Sequence, residues 1–134
     1  MLLTTYRPSS GFTLIEILIT VIIVSILAII SVPSYQTSIT KGRRAEAKAT
    51  LMRLAQAEAK WRINHTTYAD LTSIGGASAN TDYIFAVTSN TASVFTITAT
   101  PTSTNGQDHD VCSTLSITQD TTISSSAIAK CPMP

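Results

Sequence analysis

The feature that most restricts this chain is an unbroken apolar run near its start. Residues 12–32 read FTLIEILITVIIVSILAIISV, 21 positions with a single charge, Glu16. Coiled as an α-helix, such a run is about 31 Å long, close to the thickness of a bilayer's hydrocarbon core. It is too long for the apolar core of a cleaved secretory signal, and the following SVPSYQTS lacks an A-x-A site. A plain signal-anchor helix has the right length but leaves Glu16 unexplained. A carboxylate at mid-bilayer costs at least ~2.5 kcal/mol on insertion scales, so it calls for a partner, and the run itself contains no cation. A cut between Gly11 and Phe12 would create one. The new α-amine would lie one helical turn from Glu16 on the same face, in its own chain or in a neighbouring copy. A carboxylate near a helix start also complements the helix dipole.

Gly11 followed by Phe-Thr-Leu-Ile-Glu and a long apolar run resembles the class III signal motif of type IV pilins and related pseudopilins. The resemblance implies that residues 1–11 are a leader removed by a prepilin peptidase between Gly11 and Phe12. It also implies that Phe12 is N-methylated and that Glu16 sets assembly register. Residues 12–32 would be the transmembrane and later filament-core helix. Two details depart from the family pattern. The leader's only cation is Arg7, and Ser25 stands where the family often has glycine. The implied partners are other pilin subunits, the peptidase, an inner-membrane assembly platform and inner-membrane lipid before assembly. The implied setting is a Gram-negative inner membrane with a periplasmic head, then an extracellular pilus.

The helical pattern continues past the apolar run. Pro33 removes one backbone donor and Gly42 is a second soft point, so both are expected kinks rather than stops. Residues 43–63 are rich in Ala, Leu, Arg, Lys and Glu, good helix formers. On a helical wheel Trp61, Leu54, Ala47, Leu51 and Ala55 form one arc, extended by Met52, Ala59, Ile63 and Ala45. Arg53, Lys60, Gln56 and Glu46 lie opposite. Residues 33–63 are therefore read as an amphipathic half of one helix spanning about 12–63.

From residue 64 the composition turns to Thr, Ser, Asn and Gly, marking a small head over residues 64–134 that packs on 33–63. Gly75 and Gly76 signal a turn. Strand-like stretches are 83–88, 93–100 (ended by Pro101), 112–118 and a short one near 122–124, with 89–92 as a hairpin loop. Their apolar positions alternate with Ser and Thr, giving the sheet one buried face to cover the helix. The expected fold is α+β: a long kinked helix, an antiparallel sheet of about four strands and a C-terminal disulfide loop. Cys112 and Cys131 would pair in an exported, oxidising compartment, and the bridge resembles the disulfide region of type IV pilins. A metal pair or a redox pair are the alternatives. Most secretion pseudopilins lack this bridge, which favours a pilin. Thr67-Tyr68-Ala69, Asn105-Gly106-Gln107 and Asp110-x-Cys112 resemble small minor pilins of the PilE/ComP type.

Charge is unevenly spread although the formal net charge is only +1. Lys41, Arg43, Arg44, Lys48, Arg53, Lys60 and Arg62 face Glu46 and Glu58. Beyond them Asp70, Asp82, Asp108, Asp110 and Asp120 face Lys130. A basic helix and an acidic head suit packing between copies. The acidic head argues against DNA as a partner, although a DNA-uptake receptor stays open as an alternative, as does a type II secretion pseudopilin. No hydrolase, kinase or dinucleotide motif is present, so no enzyme activity and no cofactor are expected. His109 between Asp108 and Asp110 reads as a solvated loop, because adjacent side chains point apart, and no metal site is assigned. Asn64-His65-Thr66 matches a glycosylation sequon, and Trp61 reads as a packing anchor. The short head points to a minor pilin supporting motility, adhesion or DNA uptake. If Glu16 sets register, Glu16→Ala inserts normally into the membrane but is absent from filaments. Fractionating membranes and sheared filaments checks this, and normal incorporation contradicts it.

Overall fold

The computed structural model describes residues 11–127 and Cys131. The leader before Gly11, with Arg7, and the head cation Lys130 lie outside the described residues. One helix, α1, runs from Leu14 to Arg62. Thr13 opens it. Its hydroxyl oxygen accepts the Glu16 backbone N–H at 3.3 Å, and Glu16 sits in the first turn. This Thr-x-x-Glu spacing is that of a capping box, so Glu16 also has a local reason to be where it is. Hydroxyls inside the apolar run satisfy themselves along the helix. Thr20, Ser25 and Ser31 donate to the carbonyls of Ile17, Val21 and Leu27 at 2.7–2.8 Å. The helix continues unbroken through Pro33 and Gly42.

The chain divides inside α1 into two compact units, one through Ser38 and one from Ile39 onward. In the first, the apolar side chains are exposed along the whole run, and an 18-residue window reaches a mean hydropathy of 2.9. This unit has the length and composition to cross a membrane.

In the second unit α1 buries Arg44, Ala47, Leu51, Leu54, Ala55 and Glu58, a stripe at helical spacing. Of the expected central arc, Ala47, Leu51, Leu54 and Ala55 are in the core, whereas Trp61 is half-buried outside it and stacks on His65 instead of anchoring the packing. The arc's expected flanks are not in the core: Ala45, Met52, Ala59 and Ile63 are exposed. Two charged residues take those places because polar partners wait for them on the head.

The stripe faces a four-stranded antiparallel meander in the order β1-β2-β3-β4, with β1 Tyr83–Asn90, β2 Phe95–Pro101, β3 Leu115–Thr118 and β4 Ile123–Ser125. Alternation along the strands buries Tyr83, Phe85, Phe95, Ile97, Ala99, Leu115 and Ile117 against Ala47, Leu51, Leu54 and Ala55. The other face carries Ser and Thr on β2, β3 and β4, with Ile84 and Ala86 exposed on β1. Pro101 is the last residue of β2, opposite Tyr83.

Several strand boundaries differ from the sequence expectation. A register shift between Val87 and Ser89 carries β1 on to Asn90, so the hairpin loop is residues 91–94 rather than 89–92. Thr91 closes that loop: its hydroxyl oxygen accepts the N–H of Ser93 and Val94. β3 begins at Leu115 rather than Cys112, because Ser113 adopts a left-handed φ of 51° that no strand continues. A 3-10 turn, Gln107–His109, precedes it. In the loop after α1, a Cβ on Gly76 would lie 2.5 Å from the Leu71 side chain and 2.9 Å from that of Leu54, so any larger residue there makes those side chains shift.

Cys112 and Cys131 are bonded, 19 residues apart in sequence, and both belong to the core. On the chain-entropy account a loop of this size contributes roughly 3 kcal/mol. A buried knot beside the bridge ties α1 to the head. The Asp110 carboxylate, fully buried, accepts both Nε and Nη2 of Arg44, the former at 3.0 Å. It also accepts the Tyr83 hydroxyl at 3.3 Å, Gln107 Nε2 at 3.2 Å and the Cys112 N–H at 3.2 Å. Burial, ahead of the nearby Asp110 charge, pushes the Tyr83 phenol up to about 12. Asp110→Ala strands a buried guanidinium and should cost about 3–5 kcal/mol. Urea unfolding of the full chain in detergent checks this, and a loss under about 1 kcal/mol would show that Arg44 finds another partner.

Candidate functional site

Two ends of α1 carry the side chains with functional potential. At the start, Gly11, Phe12 and Glu16 are all exposed, Phe12 at 80%. Among the described residues a Cβ on Gly11 would meet nothing within 4 Å. Phe12 and Glu16 are one helical turn apart in sequence. Among the described residues the ion pairs are Arg43–Asp82 and Arg44–Asp110, and Glu16 is in neither.

At the far end of α1, three side chains fasten two loops. Glu58 is fully buried, and its Oε2 accepts the Ala69 N–H at 2.8 Å. Burial raises the Glu58 carboxyl above the usual range, opposed by the Ala69 hydrogen bond and assisted by the Asp70 charge. Arg62 donates Nε and Nη2 to the Ala92 carbonyl at 3.2 and 3.0 Å and Nη1 to the His65 carbonyl at 2.5 Å. Its guanidinium carbon lies 5.9 Å from the centre of the Tyr68 ring, and Tyr68 in turn meets Phe95 edge-on at 4.9 Å. Every hydrogen bond described for Arg62 ends on a carbonyl oxygen, so its charge is not neutralised by an acid. Trp61 and His65 stack, centroids 3.8 Å apart with planes 5° apart.

The helix arginines change the charge picture. Asp82 pairs with Arg43 at 3.3 Å and Asp110 with Arg44, so two of the acids that made the head look anionic are matched within the chain. Lys41, Arg53 and Lys60 remain exposed and Lys48 and Arg62 partly so, against exposed Glu46, Asp70, Asp108 and Asp120. The Asp108-His109-Asp110 trio does not converge: Asp110 turns into the core while the other two face solvent. Among the described residues no group of three His, Cys, Asp or Glu side chains could hold a metal ion.

Arg44, Glu58 and Arg62 were not singled out from sequence. A signal existed for the first two, since both fall on the helical stripe of Ala47, Leu51 and Leu54. A charge inside an apolar stripe points to a buried partner. Nothing local marks Arg62, whose acceptor Ala92 is 30 residues away.

Residues 6–32 match the prokaryotic N-terminal methylation motif. Residues 33–116, more than half the chain, match the family described as type IV minor pilin ComP, DNA uptake sequence receptor. The chain belongs to this family of type IV minor pilins. The methylation match covers Gly11, Phe12 and Glu16, and the minor-pilin match covers the pilin's α1 from Pro33, β1, β2 and the start of β3. β4 and Cys131 lie beyond it. Type IV pilins assemble with other pilins, and the apolar helix and methylation motif fit a membrane-anchored subunit that later joins a pilus.

Glu58 gives the pilin head a pH signature. Because the folded-state pKa is raised, the stability it contributes is complete below the unfolded value and is lost as pH rises through the folded value. Glu58→Gln keeps an acceptor for the Ala69 N–H and removes the buried charge. The variant should match the wild type near pH 4 and exceed it at pH 7 in thermal unfolding. A constant difference across that range would contradict the assignment.

Proposed function

We propose that this minor pilin is a structural subunit whose exposed head binds DNA for uptake. It acts by assembly and binding rather than by catalysis. In this reading a prepilin peptidase cuts between Gly11 and Phe12 and the new Phe12 amine is methylated. The surroundings of Gly11, open among the described residues, support the cut. The 12–32 helix rests in the inner membrane of a Gram-negative cell until an assembly platform draws it out. It then bundles with its neighbours. Transfer from lipid to bundle is nearly neutral in hydrophobic terms, since both surroundings are apolar. The pairing of Glu16 with a neighbour's terminal amine sets the register. Pro33 and Gly42 are the places where α1 would bend to fit.

The single observation favouring DNA over a purely structural role is the fate of the charges. The acidic-head objection weakens once Asp82 and Asp110 are matched by Arg43 and Arg44 and Glu58 is buried. What faces solvent at the end of α1 is Lys60, Arg62 and the Trp61–His65 stack, beside the hairpin loop 91–94. Cations beside aromatic rings on loops held by a rigid scaffold suit a phosphate backbone. The family's description as a DNA uptake sequence receptor supports the same reading. The Cys112–Cys131 bridge favours it over a secretion pseudopilin.

Gel shifts of duplex DNA with the full mature pilin in detergent test this across a salt series. Retardation should weaken steeply with salt. Lys60→Gln should reduce the slope of log affinity against log salt by about one contact. Absence of any shift at low salt would return the protein to a purely structural role.

A further inference from the structure

The Trp61–His65 pair has more order than a helix end needs. The His65 Nδ1 donates to the Trp61 carbonyl oxygen at 2.9 Å, which caps the helix. Capping alone uses only the edge of the imidazole. Here its face is also held, lying 3.8 Å from the indole and tilted by 5°. Ring edge and ring face are both fixed, while His65 as a residue stays exposed and Trp61 is half-buried. The indole covers one face of the imidazole, and solvent meets the side chain from elsewhere.

The backbone under this ring is fixed too. Arg62 holds the His65 carbonyl with Nη1 and the Ala92 carbonyl with Nε and Nη2. Tyr68, beneath the same guanidinium, leans on the core residue Phe95. The Tyr68 N–H donates to the Thr91 carbonyl at 3.1 Å, joining the two loops a second time. The nearest exposed acid along the chain, Asp70, is turned onto the Thr72 hydroxyl and the Ser73 N–H.

We propose that the outer face of His65 is a stacking platform for a nucleobase, with Lys60 and Arg62 serving the adjoining phosphates. The proposal rests on the DNA-binding reading and adds to it which atoms meet a base. A fixed planar ring loses little freedom when a second ring lands on it, and every base offers a π-face. Cations alone would serve any polyanion. A flat ring held at two points beside cations suits a heterocycle carried on a phosphate chain. Arg62 is on this account a positioning residue as well as a charge, because it holds the backbone from which His65 projects.

The chain has a single tryptophan, so its emission reports on this one place. The test titrates the full mature pilin in detergent with duplex DNA, the matching single strand and an abasic strand. Wild-type emission should change saturably with the single strand, less with the duplex, whose bases already stack on one another, and far less with the abasic strand. His65→Ala should weaken binding roughly ten-fold with an unchanged salt slope, and His65→Phe, which keeps a ring face without the capping nitrogen, should restore most of it. Thermal unfolding of both variants separates binding from folding. Equal affinity of His65→Ala and wild type would overturn the platform and leave DNA binding standing. Equal loss in both variants would assign His65 to capping and also overturn it. If wild type binds none of the three strands, the DNA reading itself falls, and the platform with it.

Discussion

The proposed assembly turns on one carboxylate in an apolar run. Glu16 is the only charge in 21 residues that otherwise suit hydrocarbon. Locally it has a place, at the third position of a helix whose cap is Thr13, where the dipole and the capping geometry favour an acid. That local role explains why the helix tolerates Glu16, but not why a hydrophobic segment should keep a charge that lipid disfavours. The counter-charge available one turn away is an α-amine at Phe12, and only a cut chain has one. Since lipid and helix bundle are equally apolar, the bulk of the helix is indifferent between them. In the proposed filament the polar pair would distinguish one packing from another.

The same helix meets different demands over its length. Up to Ser38 its side chains are exposed and await lipid or other helices, and its hydroxyls turn back on their own carbonyls. From Ile39 it is the spine of a head, with a narrow stripe of Ala and Leu packed against the sheet's buried face. Arg44 and Glu58 flank that stripe. One is locked by Asp110 near the disulfide, the other holds the loop at Ala69. These two polar anchors, with the Cys112–Cys131 bond, give definition to a head with few large apolar residues.

Much of this was legible in the sequence because its signals are local. The apolar run, the Gly-Phe junction, the lone Glu16 and the alternating Thr-rich strands each lie within a short window. What was not legible depends on residues far apart. Arg44 and Asp110 are 66 residues apart, and no local pattern joins them. Summing formal charges made the head look hostile to DNA, whereas the fold spends Asp82 and Asp110 on helix arginines. The hairpin loop moved because an extra residue after Val87 lets β1 continue, an irregularity that alternation cannot announce. Met52 and Ile63 show the limit of a helical wheel, which marks an apolar face without saying where its cover ends.

Intact-mass spectrometry of the chain recovered from sheared filaments tests the central claim most directly. The account predicts a polypeptide beginning at Phe12, one methyl group heavier than residues 12–134 alone, with the amine free to meet Glu16. A chain still carrying Met1 in the assembled filament would contradict it, since Glu16 would then have no terminal cation to pair with.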